Sequence, residues 1–265
     1  MDIQRELQER AYRSPYHYLP VIEEARFSQH QYWSWGYRYL GRLQITLELL
    51  EKTSFQSLLD IGCGDGRFLR EVQYRFSGKR LLGIDYSKQA VHLARSLNPE
   101  LQYEVMDIVQ GTLDERFDVV TLLEVIEHIP SESLAEFLRA ATRHLNPGGR
   151  LILTTPHSNT RVDPKHHQHF NSARLRDLLQ SDYDPVWCVP FDYIDWPLRL
   201  FLKLLGGSGR FFIITHAGLN TFFFRRYMRH CLYGTGETRC HRIAAMAQKR
   251  SVSPEAANDS GRRPD

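Results

Sequence analysis

The sequence predicts an α/β fold: a seven-stranded, mostly parallel sheet with helices on both faces. Three observations predict it. From residue 57 onward, apolar runs of strand length alternate with segments of helical period. The first run, 57–61, passes into Gly62-Cys63-Gly64-Asp65-Gly66 and then into Phe68, Leu69 and Val72 at helical spacing. The second run, 80–85, ends on Asp85, 25 residues after Asp60. Leu58, Leu59 and Ile61 suit a central parallel strand, and glycines at positive φ let a ligand approach the backbone. A turn of this kind places free N–H groups and a helix N-terminus at the carboxyl end of a strand, where open α/β sheets bind ligands.

The elements follow in order. Strand one is expected at 57–61 and its helix at 66–76. After strand two, Ser87 caps a helix that runs to Leu97, where Asn98-Pro99 stops it. Strand three, 101–106, ends at Asp107, and strand four, 117–123, ends at Glu124. Ser133 to Glu136 has capping-box spacing and opens a helix to Leu145. Asn146-Pro147-Gly148-Gly149 is a turn before strand five at 150–155. A helix at 172–180 and strand six at 185–193 follow, and 242–247 is the last strand, antiparallel to its neighbours. Strands joined through helices imply right-handed crossovers and a parallel sheet.

The domain plan has five parts: an N-terminal helical cap (1–52), a core (53–194), an insertion between strands six and seven (195–238), the last core strand (239–250) and a disordered tail (251–265). The cap is rich in aromatics, and His30, Tyr32, Trp33 and Tyr37 are its candidates to face a substrate. The insertion combines Trp196 to Leu205 with Phe211 to Phe224, apolar residues interleaved with Arg and Lys. A lid packed on the core and an amphipathic element on a membrane surface both have this composition.

A chain of 265 residues buries a sizeable core without staples. Net charge is +3, no footing for nucleic acid as a partner, although residues 225–250 carry +6 and the remainder −3. Cysteines at 63, 188, 231 and 240 form no disulfide framework, which points to a reducing cytoplasm. His230-Cys231 and Cys240-His241 match no standard zinc spacing, so no metal belongs to the main reading. No apolar stretch reaches the length of a membrane span, and the N-terminus lacks a signal core.

The glycine turn, Asp85, Asp107, Phe117-Asp118-Val119-Val120 and Leu145 to Arg150 together resemble the class I S-adenosylmethionine (SAM)-dependent methyltransferases, whose sheet is Rossmann-like. The resemblance spans roughly 55–190. It implies SAM as cofactor and S-adenosylhomocysteine as product. It implies that Asp60 orients the methionine ammonium and that Gly62, Cys63, Gly64 and Gly66 form the backbone cradle. Asp85 would hold the ribose hydroxyls with Tyr86 beside the adenine, which Asp107 and Ile108 would meet.

Leu123-Glu124-Val125-Ile126-Glu127-His128 resembles the E-x-x-E-H segment of ubiquinone-biosynthesis O-methyltransferases. His128 is the natural general base, with Glu124 beside it. His157 and His169 are further candidates to line the pocket. The acceptor implied is a small molecule, lipid-linked or sugar-containing, met in the cytoplasm with peripheral membrane contact through 195–230. Two alternatives stand beside this. Glu124, Glu127 and His128 with a downstream histidine could bind a divalent metal, as in the small-RNA 2′-O-methyltransferases they resemble. A non-catalytic SAM-binding partner module would share the same fold.

Overall fold

In the computed structural model, the described residues are 3–4, 6–7, 20–23, 26–29, 35–193, 195–204, 216–234 and 236–250. His30, Tyr32, Trp33 and the tail 251–265 lie outside them, and Tyr37 is described only in its backbone. The described N-terminal part is not all helical. β1 (Pro20–Glu23) and β2 (Arg26–Gln29) form an antiparallel hairpin, with Val21 opposite Ser28 and Ile22 opposite Phe27. Val, Ile and Phe favour extended backbone, and helical spacing begins only downstream. Helix α1 (Trp35–Glu51) then leads into the core.

The main sheet contains β3 (Ser57–Ile61), β4 (Arg80–Asp85), β5 (Gln102–Val105), β6 (Phe117–Leu123), β7 (Leu145–Pro156), β8 (Tyr183–Tyr193) and β9 (Cys240–Lys249). Their spatial order is β5-β4-β3-β6-β7-β9-β8, with β9 antiparallel to both neighbours and the other pairs parallel. The fold is therefore the Rossmann-like one expected. Strand order reverses between β3 and β6, which opens a crevice at their carboxyl ends.

Both faces of the sheet are covered, because neighbouring residues of each strand point opposite ways. Leu59, Val120, Leu151 and Ala245 join one apolar cluster with α4 (Leu134–Arg143) and α5 (Ser172–Leu179). Leu58, Val119, Ile152 and Ala244 join the other, with α1, α2 (Arg67–Arg75) and α3 (Lys88–Leu97). The insertion holds α6 (Trp196–Leu204) and α7 (Ala217–His230), and Tyr227 of α7 joins the second cluster.

Two local expectations need correction. Ser133 precedes α4, but its backbone is already helical and its side chain makes no cap bond, so the capping box is not formed. Ser87 and Asn171 do cap, accepting from the N–H groups of Ala90 and Arg174. β7 begins at Leu145 rather than Arg150. Leu145 pairs with Phe117 before the Asn146–Gly149 segment loops out, and pairing resumes at Arg150 opposite Val119.

Candidate active site

The first half of the site is built from backbone. Gly62, Gly64 and Gly66 all have positive φ, near 78°, 55° and 75°. The N–H groups of Gly62 and Cys63 both donate to the Ile84 carbonyl, at 2.8 and 3.0 Å, and so lock the turn to the end of β4. Asp85, buried, accepts from Gly64 N at 3.0 Å and from Ser87 N at 2.9 Å. A Cβ on Gly62 would meet Val125 Cγ2 at 2.6 Å, so the turn packs directly against the loop after β6.

Asp60 is the most informative group of this half. It is buried, and its Oδ1 accepts from the Thr121 hydroxyl at 2.7 Å. Burial pushes its carboxyl up to about 7; the Thr121 bond opposes this and nearby Asp85 adds to it. A buried carboxylate beside a hydroxyl and a second acid is a receptor for a cation. Asp107, half-buried at the end of β5, accepts from Val109 N at 3.1 Å, and Ile108 beside it is buried. Tyr86 is exposed next to Asp85. This cradle and its acids fit SAM, which carries an ammonium, a sulfonium and a ribose diol.

The second half is built from side chains. Glu124 directly follows β6, with φ near 57°. It accepts from Arg42 of α1 and from Arg242 of β9, each at 3.1 Å. Burial opposes its charge, but Arg242 and then Arg42 overcome that and bring it down to about 2. Arg242 also donates to Asp192 at 2.8 Å, and Asp192 is chelated by Arg38 and bonded by Tyr227 at 3.1 Å. Arg42, Glu124, Arg242, Asp192 and Arg38 thus form a continuous ladder of opposite charges. Glu124 is its anchor, which suits positioning better than proton transfer. Arginines in this ladder were not singled out in the sequence; Arg242, at the head of the apolar run Ile243–Ala247, was the available signal.

Past Glu124 lies a short 3-10 turn, Ile126–His128. Glu127 is fully buried, and its Oε2 accepts from Thr155 Oγ1 at 3.1 Å. Burial, reinforced by Glu124, raises its carboxyl to about 8. His128 Nδ1 lies 3.0 Å from the Lys165 carbonyl. Burial, followed by the Lys165 charge, lowers the ring to about 4. The His166 ring meets His128 edge-on at 4.8 Å, and its Nδ1 lies 2.9 Å from His169 Nε2. His169 in turn bonds Thr160, so it stands behind His166 rather than at the crevice itself. Glu127, His128 and His166 each present one ligand atom within 4.8 Å of the others. His157 is placed differently from expectation: it is buried, with Nε2 on Glu237 at 2.9 Å and Nδ1 accepting from Asn159 N at 3.1 Å. Both ring nitrogens are engaged, and the ring pins the loop after β7 to the loop before β9.

Comparison with known proteins places the chain in a family. Residues 32–185 match the family described as the methyltransferase domain. The chain belongs to that family. It lies within the class I SAM-dependent methyltransferase superfamily. It is 31% identical to tocopherol O-methyltransferase of Arabidopsis thaliana over 55% of this chain and 43% of that one. It is 33% identical to ubiquinone biosynthesis O-methyltransferase of Alkalilimnicola ehrlichii over 44% of this chain and 49% of that one. Small RNA 2′-O-methyltransferase of Mus musculus is 25% identical over 61% of this chain and 42% of its own length. The chain therefore spans less than half the length of these relatives. A SAM-dependent methyltransferase from Archaeoglobus fulgidus shares the fold, with a TM-score of 0.55 at 17% identity over 80% of this chain and 94% of that one. The N-methyltransferase NodS from Bradyrhizobium japonicum does so at 0.54 and 16%, over 80% and 87%.

Proposed function

We propose that this chain is a SAM-dependent methyltransferase that methylates an oxygen of a small, lipid-linked or sugar-containing acceptor. The observation that carries this reading is the junction of the two half-sites. Thr121 bonds Asp60 across β6 and β3, and the loop holding His128 starts three residues further on. Asp60 would face the ammonium, Asp85 the ribose hydroxyls and Asp107 the adenine. When bound, SAM supplies an electrophilic methyl on a sulfonium and leaves as S-adenosylhomocysteine.

The residues of the second half handle the proton. Nδ1–H of His128 donates to the Lys165 carbonyl, which leaves Nε2 with its lone pair available. Burial keeps the ring neutral across the physiological range. Its basicity is low, yet an oxygen that is gaining a methyl becomes strongly acidic, so a weak base at the right place suffices. His166 backs the ring, and the charge ladder holds the Glu124 end of the loop, which orients the base. Positioning is the larger part of catalysis in such a displacement.

The test is calorimetric titration with SAM, followed by an acceptor screen read as S-adenosylhomocysteine release. Absence of SAM binding would overturn the reading; binding without release for any acceptor would favour a partner module.

The Glu127-His128-His166 cluster supports a second reading, metal-dependent 2′-O-methylation of RNA. Its ligand set would be Glu127, His128 and His166, since Glu124 is held by two arginines. Under it, RNA methylation would cease with EDTA and return with Mn²⁺. EDTA-indifferent turnover of a small acceptor would exclude it.

A further inference from the structure

The insertion leaves an unusual surface. Along α6, Trp196, Leu200 and Leu204 recur at i, i+4 and i+8 and are 58%, 59% and 77% exposed. On α7, Leu219 and Phe222 are exposed as well. The two helices are joined: Phe201 of α6 meets Phe223 of α7 at 6.3 Å between ring centres, and Arg226 Nε of α7 donates to Asp195, just before α6, at 2.5 Å. Exposed apolar residues clustered in this way mark a contact surface rather than ordinary solvent-facing scatter.

The charge on the same helices is of one sign. Residues 196–230 contain five arginines and one lysine and no acid at all. Among the described ones, Arg199, Lys203, Arg225 and Arg229 are exposed. The guanidinium of Arg199 sits over the Trp196 ring at 5.5 Å. Long cationic side chains beside exposed Trp, Leu and Phe suit a bilayer boundary, where apolar groups enter the acyl region and the cations reach anionic headgroups.

We infer that α6 and α7 form a docking surface for an anionic lipid bilayer. The surface is wired to the site. Tyr227 of α7 bonds Asp192, Asp192 pairs with Arg242, and Arg242 pairs with Glu124. The element that meets the membrane is thus a wall of the acceptor half, which places that half where a membrane-held amphiphile would be offered. This last step rests on the methyl-transfer reading; the docking itself does not.

The experiment is co-sedimentation of the full chain with phosphatidylcholine vesicles containing phosphatidylglycerol, and with phosphatidylcholine alone, at low and high salt. Binding is expected to the anionic vesicles, weakening about tenfold or more on neutral ones or at high salt. The variant Leu200→Glu with Leu204→Glu should lose binding by at least about tenfold, with SAM titration unchanged. If that variant does not fold, Arg225→Glu with Arg229→Glu replaces it, with the same loss expected. Failure to bind anionic vesicles, or wild-type binding by a folded variant, overturns the inference. So does self-association in sedimentation velocity that the variants abolish while vesicles are ignored, which would give the face to a second copy. SAM binding without vesicle binding removes the docking surface and leaves the enzymatic reading intact; loss of SAM binding by the wild type does the reverse.

Discussion

The two halves of the crevice put the same residue types at the same kind of place and obtain opposite results. Asp60 sits at the end of β3 beside a hydroxyl and another acid, and burial lifts it to about 7. Glu124 sits at the end of the adjacent β6, and despite burial two guanidiniums hold it at about 2. The first carboxyl is met by a hydroxyl and a second acid, the other by two guanidiniums. The halves also differ in construction. Asp85 is held by N–H groups two and 21 residues away, whereas Glu124 is held by side chains 82 and 118 residues away. Environment, not residue type, separates an acid pushed towards neutrality from one held ionised.

The comparison can be broken most directly at the acceptor half. His128→Ala should lower turnover by about 10²- to 10⁴-fold with SAM affinity unchanged, as measured by product release and calorimetry. Undiminished turnover would remove the base from this half. On the cofactor half, Asp85→Ala should weaken SAM binding by roughly a hundredfold, the worth of one or two charged hydrogen bonds. Equal binding would dissolve the cofactor assignment.

Arg242→Met sharpens the contrast. It removes the guanidinium that joins Glu124 to Asp192, leaving Glu124 only Arg42 and Asp192 only Arg38 as arginine partners, and should cost about 3 kcal/mol, a fall in Tm of about 10 °C by calorimetry. The last effect, a trend with pH, is expected at Glu127. Its folded carboxyl is raised from the ordinary 4.5 to about 8, so the stability it contributes is full below about 4.5 and lost as pH rises to about 8. Across that window the Tm of Glu127→Gln should rise relative to the wild type. A constant difference between the two would show that Glu127 does not titrate there.

The glycine turn and the acids near the strand ends were legible in the sequence. Asp60, the three glycines, Asp85 and Asp107 stand where backbone rules place them: period-2 strands, positive-φ glycine and acids at strand ends are all local constraints. The strand boundaries failed where pairing partners decide them, as at Leu145, and the cap at Ser133 failed because its backbone had already entered the helix. Ile22 and Phe27 gave too short a pattern to announce a hairpin.

The sequence by itself determined the sheet, the glycine turn and the placing of acids at the strand ends, because each is written in local runs of residues. Only the tertiary structure decided that Thr121 reaches Asp60, that Glu124 belongs to Arg42 and Arg242, and that His166 rather than His157 joins His128. Those partnerships depend on which side chains meet when β9 enters between β7 and β8 and α1 packs along one face of the sheet. No spacing along the chain encodes a contact closed by packing across a hundred residues.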